Sequence, residues 1–394
     1  MPYRNVAASS PTFVLLIVLF LLACAPARAR DADGGLAPVY ASYPELAAAV
    51  RQRIGEPATA TPALAAPARD TTAGLADPRT RALALSDWVR SHIRRVDAGL
   101  RLDGAAPRPA AAVLARREGS GEEMAVLLQA LLAAIRIDST VALIDGGNSY
   151  ALPDAPMPVA FDHMLVYLPG LKLYLDPATD TIAAGYLPPN LLGKPVLLAS
   201  GGFAMTPVMQ PQSVRATATV DIRRDGSGSV KLDRTYAGAL AEPARKAAGR
   251  AGGGGEFTLS QSAVSPHVVL PGARALATTY ASLSTVANAV AGMPWESSRS
   301  RVIACPAVDA ADETRYRLPK GVKVVALPAP VNLVRGGVFY RAAYEREGNA
   351  VRVERRLTFR NGRPTCTPAE VRALQPALER IARDLRSRIT IAVR

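Results

Sequence analysis

Histidine and cysteine are scarce in this sequence, which has three of each among its 394 residues. Structural zinc sites need several Cys and His ligands, often starting with a Cys-x-x-Cys pair, and no such pair occurs here. His163 with Asp162 and Asp176 would offer one imidazole and two carboxylates, which is a poor ligand set for zinc. We therefore predict no bound metal, and no motif in the sequence indicates another cofactor.

Lysine is also rare, because 41 of the 47 basic residues are arginine. The net charge is +14, yet the arginines are spread along the chain, with no run of five or six like charges and no interleaved aromatic residues. This pattern is not typical of a nucleic-acid groove, so we predict no nucleic-acid partner. Anionic lipid headgroups and acidic envelope polymers remain candidate partners, because long-range attraction would draw them to a basic protein.

A long hydrophobic run is absent as well. The apolar stretch near the start, Phe13 to Leu22, has ten residues, whereas a membrane-spanning helix needs roughly 20. Arg4 precedes this stretch and small residues follow it, which is the order found in a secretory signal. The sequence therefore predicts an exported bacterial protein, located in the periplasm or attached to the outer or inner membrane as a lipoprotein.

Two cleavage sites are open for this signal. Leu21–Cys24 resembles a bacterial lipobox, in which Cys24 would carry the lipid anchor, and Ala27–Ala29 fits ordinary signal peptidase. Once Cys24 is removed or acylated, Cys305 and Cys366 remain as an even pair. They could form a disulfide in an oxidising compartment or stay as two separate buried thiols.

Composition and periodicity divide the chain into four parts. We assign residues 1–24 to the signal and residues 25–78, rich in Ala and Pro, to a tether with one short helix around Tyr43–Ile54. Residues 79–205 form a central domain, and residues 206–394 form a β-rich C-terminal region, with a further boundary near residue 310 as an alternative.

Helical and strand periods indicate an α+β fold. Helical spacing covers Arg79–Val96 and Ala110–Arg117, and a capping box, Ser120 to Glu123, opens a third helix. Strand patterns follow over Thr140–Ile144, His163–Leu168, Leu171–Leu175, Val214–Ile222, Ser229–Tyr236, Thr314–Leu318, Val322–Ala326, Val338–Tyr344 and Val351–Phe359. An amphipathic helix from about Pro368 to Arg386 comes after them.

Four short pieces of the central domain resemble the transglutaminase-like superfamily, which has a papain-like fold. They are Trp88-Val89 with Ile93-Arg94, Gly119–Glu123, Phe161–His163 and Tyr174–Pro177. The region Glu313–Val393 is similar to the closing domain of exported bacterial members, which carry β-rich domains of unknown function. We expect no room before this core for the large β domain that usually precedes it. The resemblance implies a papain-like core followed by a mostly β region with a terminal helix.

The resemblance also implies a Cys, His and Asp triad, with the cysteine in a Gly-Asp-Cys sequence that opens the central helix. His163 matches the base and Asp176 matches the carboxylate that orients it. Gly121 stands where the cysteine is expected, so the nucleophile is missing. A papain-type nucleophile acts as a thiolate at a helix N-terminus, and glycine offers no atom for that role.

Two functional interpretations follow. The first is a catalytically inactive envelope protein, a pseudoenzyme, whose old cleft binds a peptide or glycan or whose surfaces serve as a scaffold. The second is a hydrolase or acyltransferase that uses Ser120, His163 and Asp176. Ser120 is also the first residue of the capping box, which explains a serine there without catalysis.

Overall fold

A computed structural model describes residues 40–102, 104–250, 255–269, 274–293 and 302–393. The predicted signal, Cys24 and the alternative site at Ala27–Ala29 lie outside these residues. Within them, no helix combines the length and the apolar character needed to cross a bilayer.

The described residues form eight α-helices and three short 3-10 helices. The α-helices are α1 (Tyr43–Gly55), α2 (Pro62–Thr72), α3 (Pro78–His92), α4 (Ala110–Arg116), α5 (Gly121–Ala134), α6 (Ala241–Ala247), α7 (Thr285–Ala291) and α8 (Pro368–Leu385). The 3-10 helices are Pro158–Ala160, Pro169–Leu171 and Pro189–Leu191.

The described strands fall on either side of α6. Before it lie β1 (Arg94–Arg95), β2 (Glu118–Gly119), β3 (Thr140–Ile144), β4 (His163–Leu168), β5 (Leu173–Leu175), β6 (Pro195–Leu198), β7 (Phe203–Met205), β8 (Gln212–Ile222) and β9 (Gly228–Gly238). After it lie β10 (Phe257–Ser265), β11 (Ala275–Ala277), β12 (Ile303–Ala304), β13 (Val308–Arg317), β14 (Val322–Ala326), β15 (Val331–Arg335), β16 (Val338–Glu347), β17 (Ala350–Phe359), β18 (Thr365–Cys366) and β19 (Arg388–Val393).

Helix α5 is the centre of the N-terminal part of the fold. Nine of its fourteen residues are buried, including Leu127, Leu128 and Leu131, so the helix is covered on nearly every side. It packs against α2, α3 and α4 and against an antiparallel sheet with the strand order β5-β4-β3-β6-β7. This packing places the N-terminus of α5 close to the strands that carry the predicted site residues.

The segment predicted to be a tether is part of this core from α1 onwards. Leu46 and Val50 of α1 and Leu64 and Ala68 of α2 are buried in the same cluster as α5. The predicted short helix is present as α1, but the prediction of a loose segment up to residue 78 is wrong for α1 and α2. The packing of α1 and α2 was not predicted because these helices are rich in alanine, and alanine-rich helices can pack closely without large apolar residues.

The C-terminal part is built on a seven-stranded sheet with the order β10-β9-β8-β13-β17-β16-β15. Its strands are antiparallel except for the parallel pair β8 and β13. One face packs against α7 and α8 at one end and against the small sheet β11-β19-β14 at the other. The opposite face carries the exposed residues of each strand, the alternation typical of a half-buried antiparallel sheet.

The predicted fold class is confirmed. The chain is α+β, with helices around a small sheet first and a β-rich C-terminal region with a terminal helix after it. The division at residues 79 and 205 stays a prediction. The alternative boundary near residue 310 falls inside β13, which lies between β8 and β17 in the middle of the large sheet.

Candidate functional site

Helix α5 begins where the capping box predicted it. Ser120 Oγ accepts a hydrogen bond from Glu123 N at 3.2 Å, and Ser120 N donates to Glu123 Oε2 at 2.9 Å. Arg108 donates to the same carboxylate through Nε at 2.6 Å and Nη2 at 2.8 Å. The hydrogen bonding from Arg108 outweighs the effect of burial and lowers the pKa of Glu123 to about 2. The Ser120 hydroxyl is therefore used by the helix cap.

Gly121 is the first residue of α5 and faces the loop that follows β5. A Cβ atom at this position would lie 3.3 Å from Ala178 Cβ. Ala178 N donates a hydrogen bond to Asp176 Oδ1 at 3.1 Å. The structure therefore brings Gly121 next to the turn that carries Asp176.

His163 and Asp176 form a hydrogen-bonded pair at one end of the small sheet. His163 opens β4, and Asp176 follows β5, which pairs with β4 in antiparallel register. The distance from His163 Nε2 to Asp176 Oδ2 is 2.9 Å. The Asp176 side chain is 1% exposed and that of His163 is 23% exposed. The carboxylate is thus held inside while the imidazole reaches the surface.

Charged neighbours set the pKa of His163. Burial lowers this pKa, but the charge and hydrogen bond of Asp176, together with the charge of Asp162, outweigh burial and raise it above its ordinary value. The guanidinium of Arg95 acts in the opposite direction. Arg95 Nη1 donates to Ala178 O at 3.0 Å, so it also holds the Asp176 turn in place.

A buried lysine, which was not predicted from the sequence, holds the loop that follows β3. Lys194 is 1% exposed, and its Nζ donates to Asp145 O at 2.7 Å and to Gly147 O. Burial lowers the pKa of Lys194. Asp162 Oδ1 accepts from Gly146 N at 2.6 Å, so the loop is tied to the residue before His163.

Ser120 and His163 form no hydrogen bond with each other in the described part of the chain. The Ser120 hydroxyl is bound to the Glu123 amide, and Asp176 is the hydrogen-bond partner of His163. A Ser-His-Asp relay needs a direct hydrogen bond between the hydroxyl and the imidazole. The geometry supplies the imidazole and carboxylate of such a relay and leaves the serine in its cap.

A cavity of 370 Å³ opens beside the start of α5. Ser120, Glu122 and Glu123 line it together with Arg53 and Arg108. Arg53 Nε lies 3.0 Å from Glu122 Oε1, so both carboxylates of the first helical turn are paired with arginine. The cavity is of a size that suits a small polar ligand or one residue of a polymer.

The remaining predicted residues lie elsewhere. Cys305, directly after β12, and Cys366 of β18 are joined by a disulfide. His92 stacks on Trp88 at the exposed end of α3, with 4.4 Å between the ring centroids. His267 lies in an exposed loop. Among the residues that the structure describes, no group of three or more His, Cys, Asp or Glu side chains could hold a metal ion.

The chemistry of the site follows from what the first turn of α5 can offer. The pair of His163 and Asp176 can take up and release a proton, and the helix N-terminus favours negative charge beside it. Gly121 places no nucleophilic atom between them. The arrangement can donate and accept hydrogen bonds, and it lacks the thiol that a papain-type acyl transfer needs.

Comparisons with known proteins bear on the fold. No protein-family model matches the chain, and no curated protein matches it. A solved structure described as a “putative protease” from Parabacteroides distasonis ATCC 8503 is similar, with a TM-score of 0.60 and 15% sequence identity. The match covers 90% of this chain and 59% of that chain, so the present chain spans about three fifths of that protein. The likeness is one of fold, and it is compatible with a papain-like, transglutaminase-like core.

Proposed function

We propose that this chain is a transglutaminase-like pseudoenzyme of the bacterial envelope, whose cleft binds a ligand without cleaving it. One observation carries the proposal: Gly121 occupies the first position of α5, beside the turn that holds Asp176 in its hydrogen bond with His163. The base and its carboxylate are in place, and the residue that should supply sulfur has no side chain.

The ligand in this proposal is a peptide or a glycan. The cavity beside Ser120 supports it, because its lining mixes apolar side chains with charged groups, and its carboxylates are already paired with Arg53 and Arg108. Hydroxyl and amide groups, which both polymers carry, would be accepted there more readily than a second charge. A scaffold role, in which only the outer surfaces of the protein are used, is the simpler form of the same proposal.

The envelope location rests on the first 24 residues. In this proposal Cys24 becomes the lipidated first residue of the mature protein, and the ordinary cleavage at Ala27–Ala29 is the alternative. Labelling with a palmitate analogue distinguishes them, because a Cys24→Ser variant should lose the label. A mature chain that begins after Ala29 would exclude the lipid anchor.

Restoring the thiol is the experiment that tests the site. In Gly121→Cys, we expect a thiol that reacts with iodoacetamide at pH 6, because an imidazolium and a helix N-terminus lower the pKa of a thiol beside them. The new Cβ must displace Ala178 by a few tenths of an ångström, so Gly121→Cys with Ala178→Gly provides a relaxed version. Mass spectrometry of the peptide that contains position 121 measures the reaction.

The control variants separate site chemistry from general exposure. Gly121→Cys combined with His163→Ala should react at pH 6 at least about tenfold more slowly, since the imidazolium is gone. Gly121→Ala reports the effect of the Cβ atom alone on stability. Equal alkylation rates with and without His163 would reject the proposed geometry, and amide hydrolysis by the wild-type protein that His163→Ala abolishes would reject inactivity.

A hydrolase that uses Ser120, His163 and Asp176 is the second candidate. The intact pair of His163 and Asp176 favours it, and so does the similar fold of a protein described as a protease. It requires the Ser120 hydroxyl to donate to His163, a hydrogen bond that is absent between these two described residues. A fluorophosphonate probe that labels the peptide containing Ser120 would support this candidate, and no labelling would remove it.

A further inference from the structure

Three arginines form one row across the outer face of the seven-stranded sheet. Arg341 of β16 is directly opposite Arg356 of β17, and Arg356 is opposite Ala311 of β13. Ala311 is in turn opposite Arg215 of β8. All three arginines are exposed, and the small side chain of Ala311 leaves a dip between them.

The next row of the same face carries Glu313 and Glu354, and both of these glutamates pair with Arg352 and not with the arginine row. Like charges directly opposite each other on adjacent strands destabilise a sheet. An anionic group bound beside Arg341 and Arg356 would reduce the repulsion between them. Arg356 lies 3.7 Å from Asp309, which also contacts Arg360. In the ranges that the structure describes, neither Arg215 nor Arg341 forms an ion pair.

An apolar row lies next to the arginine row. Phe339 of β16 is opposite Val334 of β15, and the two residues are 49% and 74% exposed. Both side chains line a cavity of 410 Å³ that is also lined by Arg341 and Arg356. The outer face therefore offers a cationic strip beside a short apolar strip, which consists of Val334 and Phe339 and ends at Thr358 of β17.

Strand β15 gives this cavity an open side. It is the last strand in the order of the large sheet and pairs with β16 alone, so its outer edge meets no other strand of the described chain. An open strand edge presents backbone N–H and C=O groups that can pair with an extended segment. The residues Asn332 and Val334 of this edge strand line the cavity.

We propose that an extended polypeptide adds to the free edge of β15 as an eighth strand, beyond the cleft function proposed above. A residue of the partner opposite Asn332 would continue the row of Arg341 and Arg356, so an acidic side chain fits there. A residue two positions along would lie opposite Val334, where an apolar side chain would pack on Val334 and Phe339. The partner is thus a segment with acidic and apolar residues alternating on one face.

The observations favour a polypeptide over an acidic polymer lying across the sheet. A polymer along the arginine row would use Arg215 as much as Arg341 and would leave the apolar strip and the strand edge unused. A strand on β15 uses both of them. Its acidic side chain can reach Arg341, since two strand spacings are about 9–10 Å and the two side chains together cover most of that distance.

The test uses the full chain and a synthetic peptide. The probe is a fluorescent, acetylated and amidated peptide of nine residues, with Glu and Val alternating on one face and Thr on the other. We expect fluorescence anisotropy to show saturable binding, weakened about tenfold or more in Arg341→Glu because two like charges would then face each other. Arg215→Glu is the matched control and should bind as the wild type does.

Two further peptides complete the test. A peptide with N-methyl groups on the backbone amides that face β15 should lose binding, and one with Lys in place of Glu should bind at least about tenfold more weakly. Unchanged binding of the N-methylated peptide would overturn strand addition. Equal losses in Arg215→Glu and Arg341→Glu would show a polyanion site across the sheet instead, and no saturable binding would also overturn the proposal.

Discussion

At the scale of single residues, His163 combines two opposing influences. Its side chain is mostly buried, which by itself favours the neutral ring, yet the carboxylates of Asp176 and Asp162 face it and favour the imidazolium. The carboxylates have the larger combined effect, and the pKa of His163 is raised. An imidazole whose protonated form is favoured in this way would stabilise a thiolate at position 121, where Gly121 stands instead.

The raised pKa of His163 makes stability depend on pH. A group whose pKa is higher in the folded state stabilises the fold fully below its unfolded value of about 6.5, and this stabilisation is lost as the pH rises through the folded pKa. We expect His163→Gln to lower the free energy of unfolding more at pH 5.5 than at pH 8.5. A hydrogen bond to a charged group contributes about 1.5–3 kcal/mol, which sets the scale at the lower pH.

Urea unfolding of both proteins at the two pH values measures this difference. Asp176→Asn should remove most of the pH dependence as well, because the largest favourable influence on the imidazolium is lost. A loss of stability in His163→Gln that is the same at both pH values would contradict the assigned pKa direction.

The residues around the site differ in how far the sequence could predict them. The capping box at Ser120 was predictable because it depends on neighbours three residues apart. The pairing of His163 with Asp176 came from a family resemblance. Arg95 and Lys194 could not be predicted, because their partners, Ala178 O and the loop carbonyls at Asp145 and Gly147, are brought to them only by the tertiary fold.

At the scale of secondary-structure elements, a buried ion pair attaches α8 to the large sheet. Arg355 of β17 donates through Nε to Asp384 Oδ2 of α8 at 2.9 Å, and both side chains are at most 3% exposed. The hydroxyls of Tyr340 and Tyr344 donate to the same carboxylate at 2.5 Å. Both oxygens of the Asp384 carboxylate thus accept hydrogen bonds, and these bonds fix the orientation of α8 at its last turn.

We expect Asp384→Asn to destabilise the protein by about 3–5 kcal/mol, because it leaves the buried guanidinium of Arg355 without its counter-charge. Asp221→Asn is the matched control, since the pair of Asp221 and Arg317 is 43% and 57% exposed. The control should change stability by at most about 1 kcal/mol. Urea unfolding at pH 7 measures both, and equal effects would show that the buried pair does not fasten α8.

The elements that were predicted have strong local signals, and those that were missed do not. Strand β3 and the helix α8 match their predicted bounds closely, because their patterns of apolar residues are regular. Strand β15 was not predicted, because Pro328 and Pro330 lie just before it and two nearby prolines are typical of a loop. Strand β10 was missed because its exposed residues give no apolar alternation, and its place is set by pairing with β9.

At the scale of the whole molecule, the disulfide lies beside a close contact between the two parts of the fold. Cys305 N donates to Pro364 O at 2.9 Å, so the bridge to Cys366 holds the loop that contains Pro364. A Cβ atom on Gly193 would lie 2.2 Å from Pro364 Cβ, and Gly193 has a φ of +66°. Only glycine permits so close an approach at this position. The contact between Gly193 and Pro364 joins the helical part of the fold to the β-rich part.

Replacing both cysteines by serine should destabilise the protein substantially. The bridge closes a loop with a sequence separation of 61, for which loop entropy alone gives about 4 kcal/mol. We expect the variant Cys305→Ser/Cys366→Ser to show a lower unfolding midpoint in urea, and wild type treated with a reductant should match it. A reductant that leaves the wild-type midpoint unchanged would contradict a stabilising bridge.

The parallel pairing of β8 with β13 sets the order in which the chain can assemble during synthesis. Val214 of β8 is opposite Ala310 of β13, so the strand that completes the middle of the sheet is made long after β8 and β9. Pairings between distant positions form slowly, since the intervening chain must first be closed into a loop. We therefore expect one edge of a nascent β8–β9 hairpin to stay unpaired until β13 has been made. In refolding followed by far-ultraviolet circular dichroism, the helices around α5 should form before the large sheet.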